Sequence, residues 1–473
     1  MVFSSSIFLF IFLPIVLLLY YLSPKKIKNY TLLFFSLLFY TWGAVDFILI
    51  ALLSMVADFY IAERISKGNQ NHRKKWLFVS IAINVSLLLY FKYANFFIGN
   101  VNELLGIFGF QPYKWVSIVL PIGISFLTFQ KMSYVIDVYR KTTPTQKNFA
   151  YYALYILMFP QLIAGPIVRY KDIQTQLNSR EDENSFSNRI VGFIRFMIGL
   201  SKKVLIANVL SEQADMIFAV SPDYFSTVTA WIGILAYTFQ IYFDFAGYSD
   251  MAIGLGKMFG FEFLENFNFP YISKSITEFW RRWHISLSNW MKDYLYISLG
   301  GNRVKVSRMY LNLIIVFLIS GLWHGADWTF VVWGAYHGIF IMADKLFLLK
   351  VLKKIGRIPS TIFTFFVVII GWVFFRSDSI NYAFAFIKKM FIFDNRIDEF
   401  SFNTKFIVIL ISAILFSFMG IWGKLENLQF KLFDRNMPMP RLAGLLILAV
   451  VLYLLCGGAL LAGAANPFIY FRF

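Results

Sequence analysis

Apolar runs follow one another along this chain with only short polar gaps between them, beginning with Ile7–Leu22. Each approaches the ~20 residues that a helix needs to cross a bilayer. A β-barrel would instead show alternating patterns about ten residues long, and continuous runs of this kind exclude it. The composition agrees. Hydrophobic residues make up 59% of the chain and charged residues 15%, against about one quarter charged in an ordinary soluble domain. The mean hydropathy is +0.64. The expected fold class is therefore all-α: a polytopic membrane protein in a single domain, residues 1–473, with about eleven membrane helices, some of them re-entrant or interfacial.

The formal net charge is +18. In a soluble protein that balance would point to nucleic acid. Here the short cytoplasmic loops of a multi-pass protein collect Lys and Arg, so the expected surroundings are membrane lipids and no nucleic acid. The expected location is the cell (inner, cytoplasmic) membrane. A single cysteine, Cys456, excludes disulfides within the chain and Cys-rich zinc sites. The first run has no basic segment before it and no small-residue cleavage site, so it reads as a retained span and not a signal peptide.

Loop charges order the rest. Pro24-Lys25-Lys26-Ile27-Lys28 and Arg64–Lys75 are expected on the cytoplasmic side, so Tyr30–Ala62 must go out and return, hinged near Trp42-Gly43-Ala44-Val45-Asp46. Val116–Tyr139 is expected as one inward span, with Lys131 and Asp137 as an interfacial anchor or a cavity lining. Phe149–Ile167 contains Pro160, Gly165 and Pro166 and has basic flanks on both sides, which fits a re-entrant element. Ile190–Leu210 carries Arg195, Lys202 and Lys203 and reads as an interfacial helix or a short span with cationic ends. Thr227–Phe245 spans. Met251–Phe269, with Gly254, Gly256 and Gly260, is expected to be partly irregular. Its Gly-x-Gly lacks the strand and helix of a nucleotide fingerprint. No internal repeat is evident, which weighs against a transporter built on inverted repeats.

Three of the chain's 4 histidines, His284, His324 and His337, stand among apolar residues. Polar groups at membrane depth are costly and usually functional. Stepped at 100° per residue, Ser275–Leu299 reads as one amphipathic helix, with His284 at the border of its apolar face. Met309–Leu322 then runs to Trp323-His324-Gly325. About fourteen residues rise about 21 Å, short of the ~30 Å core, which puts His324 inside the membrane thickness. A neutral imidazole there can take a proton from an attacking hydroxyl or thiol. The alternative is a histidine bonded to a carbonyl inside a bundle. His284 assists it or is an interfacial residue, and His337 reads as packing. Asp244, Asp250 and Asp327 orient a histidine nitrogen or cap a helix. Arg281 and Arg282 hold a phosphate-bearing donor or meet lipid headgroups. Asp244, Arg281, Arg282, Trp323 and Asp327 form the expected lining around the two histidines. No ligand spacing such as His-Glu-x-x-His is present, so no metal is expected.

The stretch Trp280-Arg281-Arg282-Trp283-His284-Ile285-Ser286-Leu287-Ser288, followed by Gly321-Leu322-Trp323-His324-Gly325-Ala326-Asp327-Trp328, resembles the membrane-bound O-acyltransferase family. Met1-Val2-Phe3-Ser4-Ser5, the segment Phe159-Pro160-Gln161-Leu162-Ile163-Ala164-Gly165-Pro166-Ile167-Val168-Arg169 and Phe243–Asp250 resemble its bacterial alginate O-acetylation branch. The resemblance implies a ring of helices around a thinned central funnel. It puts His324 where the family's invariant histidine falls and His284 where its second, helix-borne histidine or asparagine falls. It implies no bound cofactor, acetyl-CoA as cytoplasmic donor substrate, and a separate extracytoplasmic (SGNH-type) acetyltransferase that modifies a polysaccharide. The related teichoic-acid branch exports D-alanyl groups from a carrier protein. Related export systems also carry an aromatic tail that serves as acyl acceptor, which makes Tyr470, in Asn466–Phe473, an acyl relay or a docking residue for the partner enzyme; the alternative is an interfacial aromatic anchor. Two non-enzymatic readings stand beside these: a transporter of an intact acetylated unit, and a scaffold for a secreted acetyltransferase.

Overall fold

The computed structural model describes residues 2–163, 165–180, 185–392, 400–434 and 437–463; the tail with Tyr470 lies outside them. Every regular element among the described residues is a helix. Of these, 6 are long and apolar enough to cross a membrane: Lys28–Lys67, Gln70–Ile107, Val306–His324, Arg357–Arg376, Thr404–Ile421 and Met439–Leu461, with a shorter apolar helix at Phe8–Leu22. The other segments read as membrane elements from the sequence are shorter, interrupted or less apolar; Thr227–Met258 is one continuous helix of 32 residues. The chain divides into two compact units, Met1–Glu183 with Gly260–Phe263, and Asn184–Phe259 with Leu264–Phe473.

The first unit holds α1 (Leu13–Leu22), α2 (Lys28–Ala44), α3 (Ile48–Lys67), α4 (Gln70–Leu88), α5 (Ala94–Ile107), α6 (Ile124–Tyr139), α7 (Phe149–Leu157), α8 (Phe159–Leu162) and α9 (Tyr170–Asn178). The expected hinge falls at Ala44, whose φ of −154° and ψ of 48° end α2 before a single 3-10 turn, Val45–Phe47. Val116–Tyr139 is not one span. Gly123 takes φ +76° and starts α6, while the preceding residues are non-helical. They are pinned back on α5: Asn95 Oδ1 accepts from Trp115 Nε1 and the Ile118 amide at 2.9 Å each. Lys131 lines a small cavity with Tyr40 and Thr128. Its ammonium donates to Ser54 Oγ at 2.8 Å and lies 3.6 Å from Asp58. Phe149–Ile167 is broken as its prolines and glycine demand. Met158 leaves the helix at ψ 111°, and the freed amide of Phe159 donates to Ser36 Oγ at 3.2 Å.

The second unit holds α10 (Phe186–Ser201), α11 (Asn208–Phe218), α12 (Thr227–Met258), α13 (Ile276–Arg282), α14 (Ile285–Trp290), α15 (Val306–His324), α16 (Trp328–Ala343), α17 (Leu349–Ile355), α18 (Arg357–Arg376), α19 (Ile380–Phe391), α20 (Thr404–Phe418), two short helices α21 (Gly423–Glu426) and α22 (Leu428–Leu432), and α23 (Met439–Leu461). Met251–Phe269 is partly irregular, as expected: it is helical to Met258 and irregular beyond it. Gly260 takes φ +79° where the helix has ended, whereas Gly254, inside the helix, serves packing. Gly192 of α10 meets Gly254 of α12, and Gly199 meets Gly247, so the two helices run antiparallel with backbones in contact. The expectation for Ile190–Leu210 is corrected in its cations: Arg195 and Lys203 are buried, because this close crossing brings them against carboxylates of α12.

A Cβ at Gly254 would stand 2.6 Å from the Gly192 carbonyl oxygen and 2.7 Å from the Phe196 amide nitrogen. Both neighbours are backbone and cannot yield cheaply. Gly254→Ala should therefore cost about 1–3 kcal/mol, read as a fall in the unfolding midpoint of the detergent-solubilised protein. An unchanged midpoint would show that the crossing is loose.

Candidate active site

The expected continuous helix Ser275–Leu299 does not exist. Its hydrogen-bond ladder stops at Arg282, Trp283 is extended (φ −101°, ψ 129°), and His284 sits in the left-handed region at φ 44° before α14 begins. A non-glycine residue there costs about 1–2 kcal/mol, and the surroundings hold it. The segment 266–268 lies alongside the break: the Asn268 amide donates to the Arg282 carbonyl at 2.9 Å, and the Ile285 amide to the Asn266 carbonyl at 3.0 Å. The Asn266 side chain completes the join. Its Nδ2 donates to Ser249 Oγ of α12 at 3.0 Å, and its Oδ1 accepts from the Ser286 amide at 3.2 Å and from Ser286 Oγ at 2.9 Å. His284 Nδ1 stands 3.2 Å from the same Oδ1. His284 is therefore not at a helix border; it is 0% exposed, with Phe245 edge-on at 4.6 Å between ring centroids.

His324 is the last residue of α15. That helix starts at Val306 and has 19 residues, about 28 Å at ~1.5 Å each. The length is close to a full bilayer core, so the short run read from the sequence is corrected: the polar residues Ser307 and Arg308 belong to the helix, and His324 does too. Antiparallel α16 packs tightly on it, with Gly321 against the Phe330 carbonyl and Gly334 against that of Phe317. The crossing surrounds the His324 ring with Trp323, Trp333 and Phe375, at centroid distances of 5.0, 5.1 and 5.3 Å. The His284 ring lies 6.4 Å from it. His324 is 7% exposed. The fold thus brings His284 to Trp323 and His324, which are distant from it in sequence.

The charged candidates divide. Asp244 pairs with Lys203 at 2.9 Å, both buried. Asp250 pairs with Arg195 at 2.9 Å and Lys202 at 2.6 Å and does not cap a helix. Arg282 is engaged by Glu278 at 2.9 Å and Glu426 at 2.7 Å and braces the two segments. Asp327 caps α16, accepting from the Thr329 amide at 2.9 Å. Arg281 is exposed and lines a cavity of about 450 Å³. Lys292, Lys345, Asn289 and Asn302 share its polar part, and Leu313, Val316, Phe317 and Ser320 of α15 line it further on. Those α15 residues recur at helical spacing on one face, and Ser320 is one turn before His324. His337 is fully buried between Phe279, Trp280 and Trp333, a packing position. Among the described residues, no group of three or more His, Cys, Asp or Glu is placed to hold a metal ion.

Asn266 was missed by sequence reasoning. Its one signal is the alternation of polar and aromatic residues in the loop Glu265-Asn266-Phe267-Asn268-Phe269-Pro270.

A helical membrane protein with two buried histidines in an aromatic enclosure, beside a cavity with a cationic rim, defines the class: an acyl- or group-transfer enzyme of the membrane. Residues 141–384 match the model of the membrane-bound O-acyltransferase family, and the chain belongs to that family. It is similar to the "Probable alginate O-acetylase AlgI" of Pseudomonas aeruginosa, 48% identical over 395 residues, which are 83% of this chain and 75% of the relative. It also resembles the peptidoglycan O-acetyltransferase of Helicobacter pylori, 37% identical over 82% of this chain and 80% of that protein. The teichoic acid D-alanyltransferase of Bacillus subtilis is more distant, 28% identical over 54% of this chain and 65% of the relative. The chain is an O-acyltransferase of the alginate O-acetylation branch.

Breaking the Lys203–Asp244 pair should strand a buried charge. Lys203→Met is expected to cost about 3–5 kcal/mol, and the double variant Lys203→Met, Asp244→Leu to recover most of it. Yield of folded protein by size-exclusion chromatography separates the two; equal yields would show that the pair is not coupled.

Proposed function

We propose that this enzyme, in the cytoplasmic membrane, takes acetyl from a cytoplasmic thioester, acetyl-CoA, and passes it outward to a separate extracytoplasmic transferase that esterifies a polysaccharide. In the transfer step a hydroxyl oxygen attacks the thioester carbonyl. The C–O bond forms, the C–S bond breaks, and the thiol leaves carrying a proton. His324 acts as general base for the attacking hydroxyl, and His284 faces the same reacting group.

One observation carries this reading: the line of α15 residues that leads from the cationic rim to His324. Arg281, Lys292 and Lys345 match the phosphates of CoA, and the volume is in the range of small-molecule sites. Leu313, Val316, Phe317 and Ser320 then offer an apolar wall for an uncharged thioester arm, ending one turn from the base. Aromatic walls exclude water from the acyl group, which favours transfer over hydrolysis. The names of the alginate and peptidoglycan relatives support acetyl as the group and a polysaccharide as the final acceptor.

His324→Ala should abolish acetyl ester on the cell's exopolysaccharide, with the protein still inserted in the membrane. Persistent acetylation would favour a scaffold and overturn the assignment. The rim has its own test. Lys292→Gln combined with Lys345→Gln should raise KM for acetyl-CoA about tenfold, about 1.4 kcal/mol, with kcat little changed. An unchanged KM would place the donor elsewhere. Tyr470 is proposed to receive the acyl group or to dock the partner enzyme. Intact-mass analysis of the C-terminal peptide under turnover is expected to show acyl-Tyr, and full activity of Tyr470→Phe without that adduct would remove it from the route.

A further inference from the structure

We propose that Asn266 is a positioning residue of the acyl-transfer site: it fixes His284 as the tautomer protonated on Nδ1, so that Nε2 offers a lone pair to the hydroxyl that accepts the acyl group. The tautomer follows from the hydrogen bonds alone. The role of the lone pair rests on the acyl-transfer reading above.

The orientation of the Asn266 amide is set by a group that has no choice. The backbone N–H of Ser286 can only donate, and it points at Oδ1 from 3.2 Å. Flipping the amide would oppose two donors. The opposite end then donates to Ser249 Oγ at 3.0 Å, and Ser249 is carried on α12, the central helix of this unit. Oδ1 is thus an acceptor, and it lies 3.2 Å from His284 Nδ1. Were Nδ1 unprotonated, two lone pairs would face each other inside a fully buried site, where such an opposition is not screened. Ser286 Oγ lies 3.5 Å from Nδ1 but donates to Oδ1 at the shorter distance of 2.9 Å, so Nδ1 carries the hydrogen. In a neutral imidazole the other nitrogen is then an acceptor. Nε2 is buried and has no hydrogen-bond partner among the described residues, and its ring stands 6.4 Å from that of His324 and 6.1 Å from that of Trp323.

A chemical consequence follows for the division of labour. A neutral Nε2 without hydrogen cannot donate to the oxyanion that develops on the thioester carbonyl. It can accept a hydrogen bond from an O–H. His284 therefore orients the attacking hydroxyl, and oxyanion stabilisation falls to other donors. The left-handed backbone of His284 serves the same end, because both the ring and the Ser286 amide must reach one oxygen of Asn266. A regular helix would carry these two groups to different faces.

The test reads the tautomer directly. Full-length protein labelled with 15N and 13C histidine, in lipid nanodiscs, is observed by NMR, and the His284 signals are assigned by their loss in His284→Gln. The expected pattern is a neutral ring protonated on Nδ1; protonation on Nε2 in the wild type would overturn the proposal. Asn266→Asp keeps an acceptor oxygen facing Nδ1, so Nδ1 should remain protonated there, and a deprotonated Nδ1 would overturn it equally. Asn266→Leu removes the acceptor. It should lose the fixed tautomer and lower turnover about 10- to 100-fold, with KM for acetyl-CoA unchanged. Wild-type turnover in a folded Asn266→Leu protein would sink the positioning role. None of the tautomer measurements needs turnover, so a failure of acetyl transfer to polysaccharide would count against the function proposed above without touching them.

Discussion

A helix broken inside an apolar bundle frees backbone amides and carbonyls that only the protein itself can satisfy. The break at Trp283–His284 meets this constraint with a second irregular segment, residues 266–268, laid beside it. Each irregular piece supplies the partners the other lacks. Neither would be tolerable alone. The pairing also explains why Phe269, just beyond the joined segment, and His284 both adopt positive φ: the two stretches must stay in register over several bonds while leaving and re-entering helices. The position of the His284 ring is a by-product of that requirement, and it is as rigid as the join itself.

The same economy governs the charges. Arg195, Lys202 and Lys203 would be prohibitive in an apolar interior unless each met a carboxylate. The glycine contacts between α10 and α12 bring the backbones close enough for Asp244 and Asp250 to reach them. Close packing and ion pairing are therefore one device. α12 carries Asp244 and Asp250, but also Phe245 against His284 and Ser249 under Asn266. A helix fixed by buried pairs on one side presents well-defined contacts on the other. The carboxylates that looked like candidates to orient a histidine instead hold the helix on which the orienting amide rests.

What could be read from the sequence follows from the range of the interactions. Apolar run length is local, so the membrane character and most helices were legible. So were the hinge at Ala44 and the break in Phe149–Ile167, where glycine or proline marks the chain. The motifs around His284 and His324 were long enough to place the chain in its family. The break at His284 was not legible, because no glycine or proline announces it and, in the apolar period of Ile276 to Tyr294, Ile285 alone falls out of place. Its cause lies in Asn266, far along the chain. The fate of Arg195 and Lys203 was hidden for the same reason, since their carboxylate partners are on another helix. Gly254 and Gly260 look alike in sequence, although the first permits close approach inside a helix and the second lies past its end.

The two histidines end up in unlike mechanical settings. His324 closes a regular helix and is held by aromatic rings on several sides, with Gly325 capping the helix directly behind it. His284 is held by a directed hydrogen-bond network that constrains one ring nitrogen. Packing fixes where a ring sits but leaves its protonation free to change, whereas a hydrogen bond to a committed acceptor fixes protonation as well. A general base must gain and lose a proton in each cycle, so it is better placed in the first setting. A group that must present the same face in every cycle is better placed in the second.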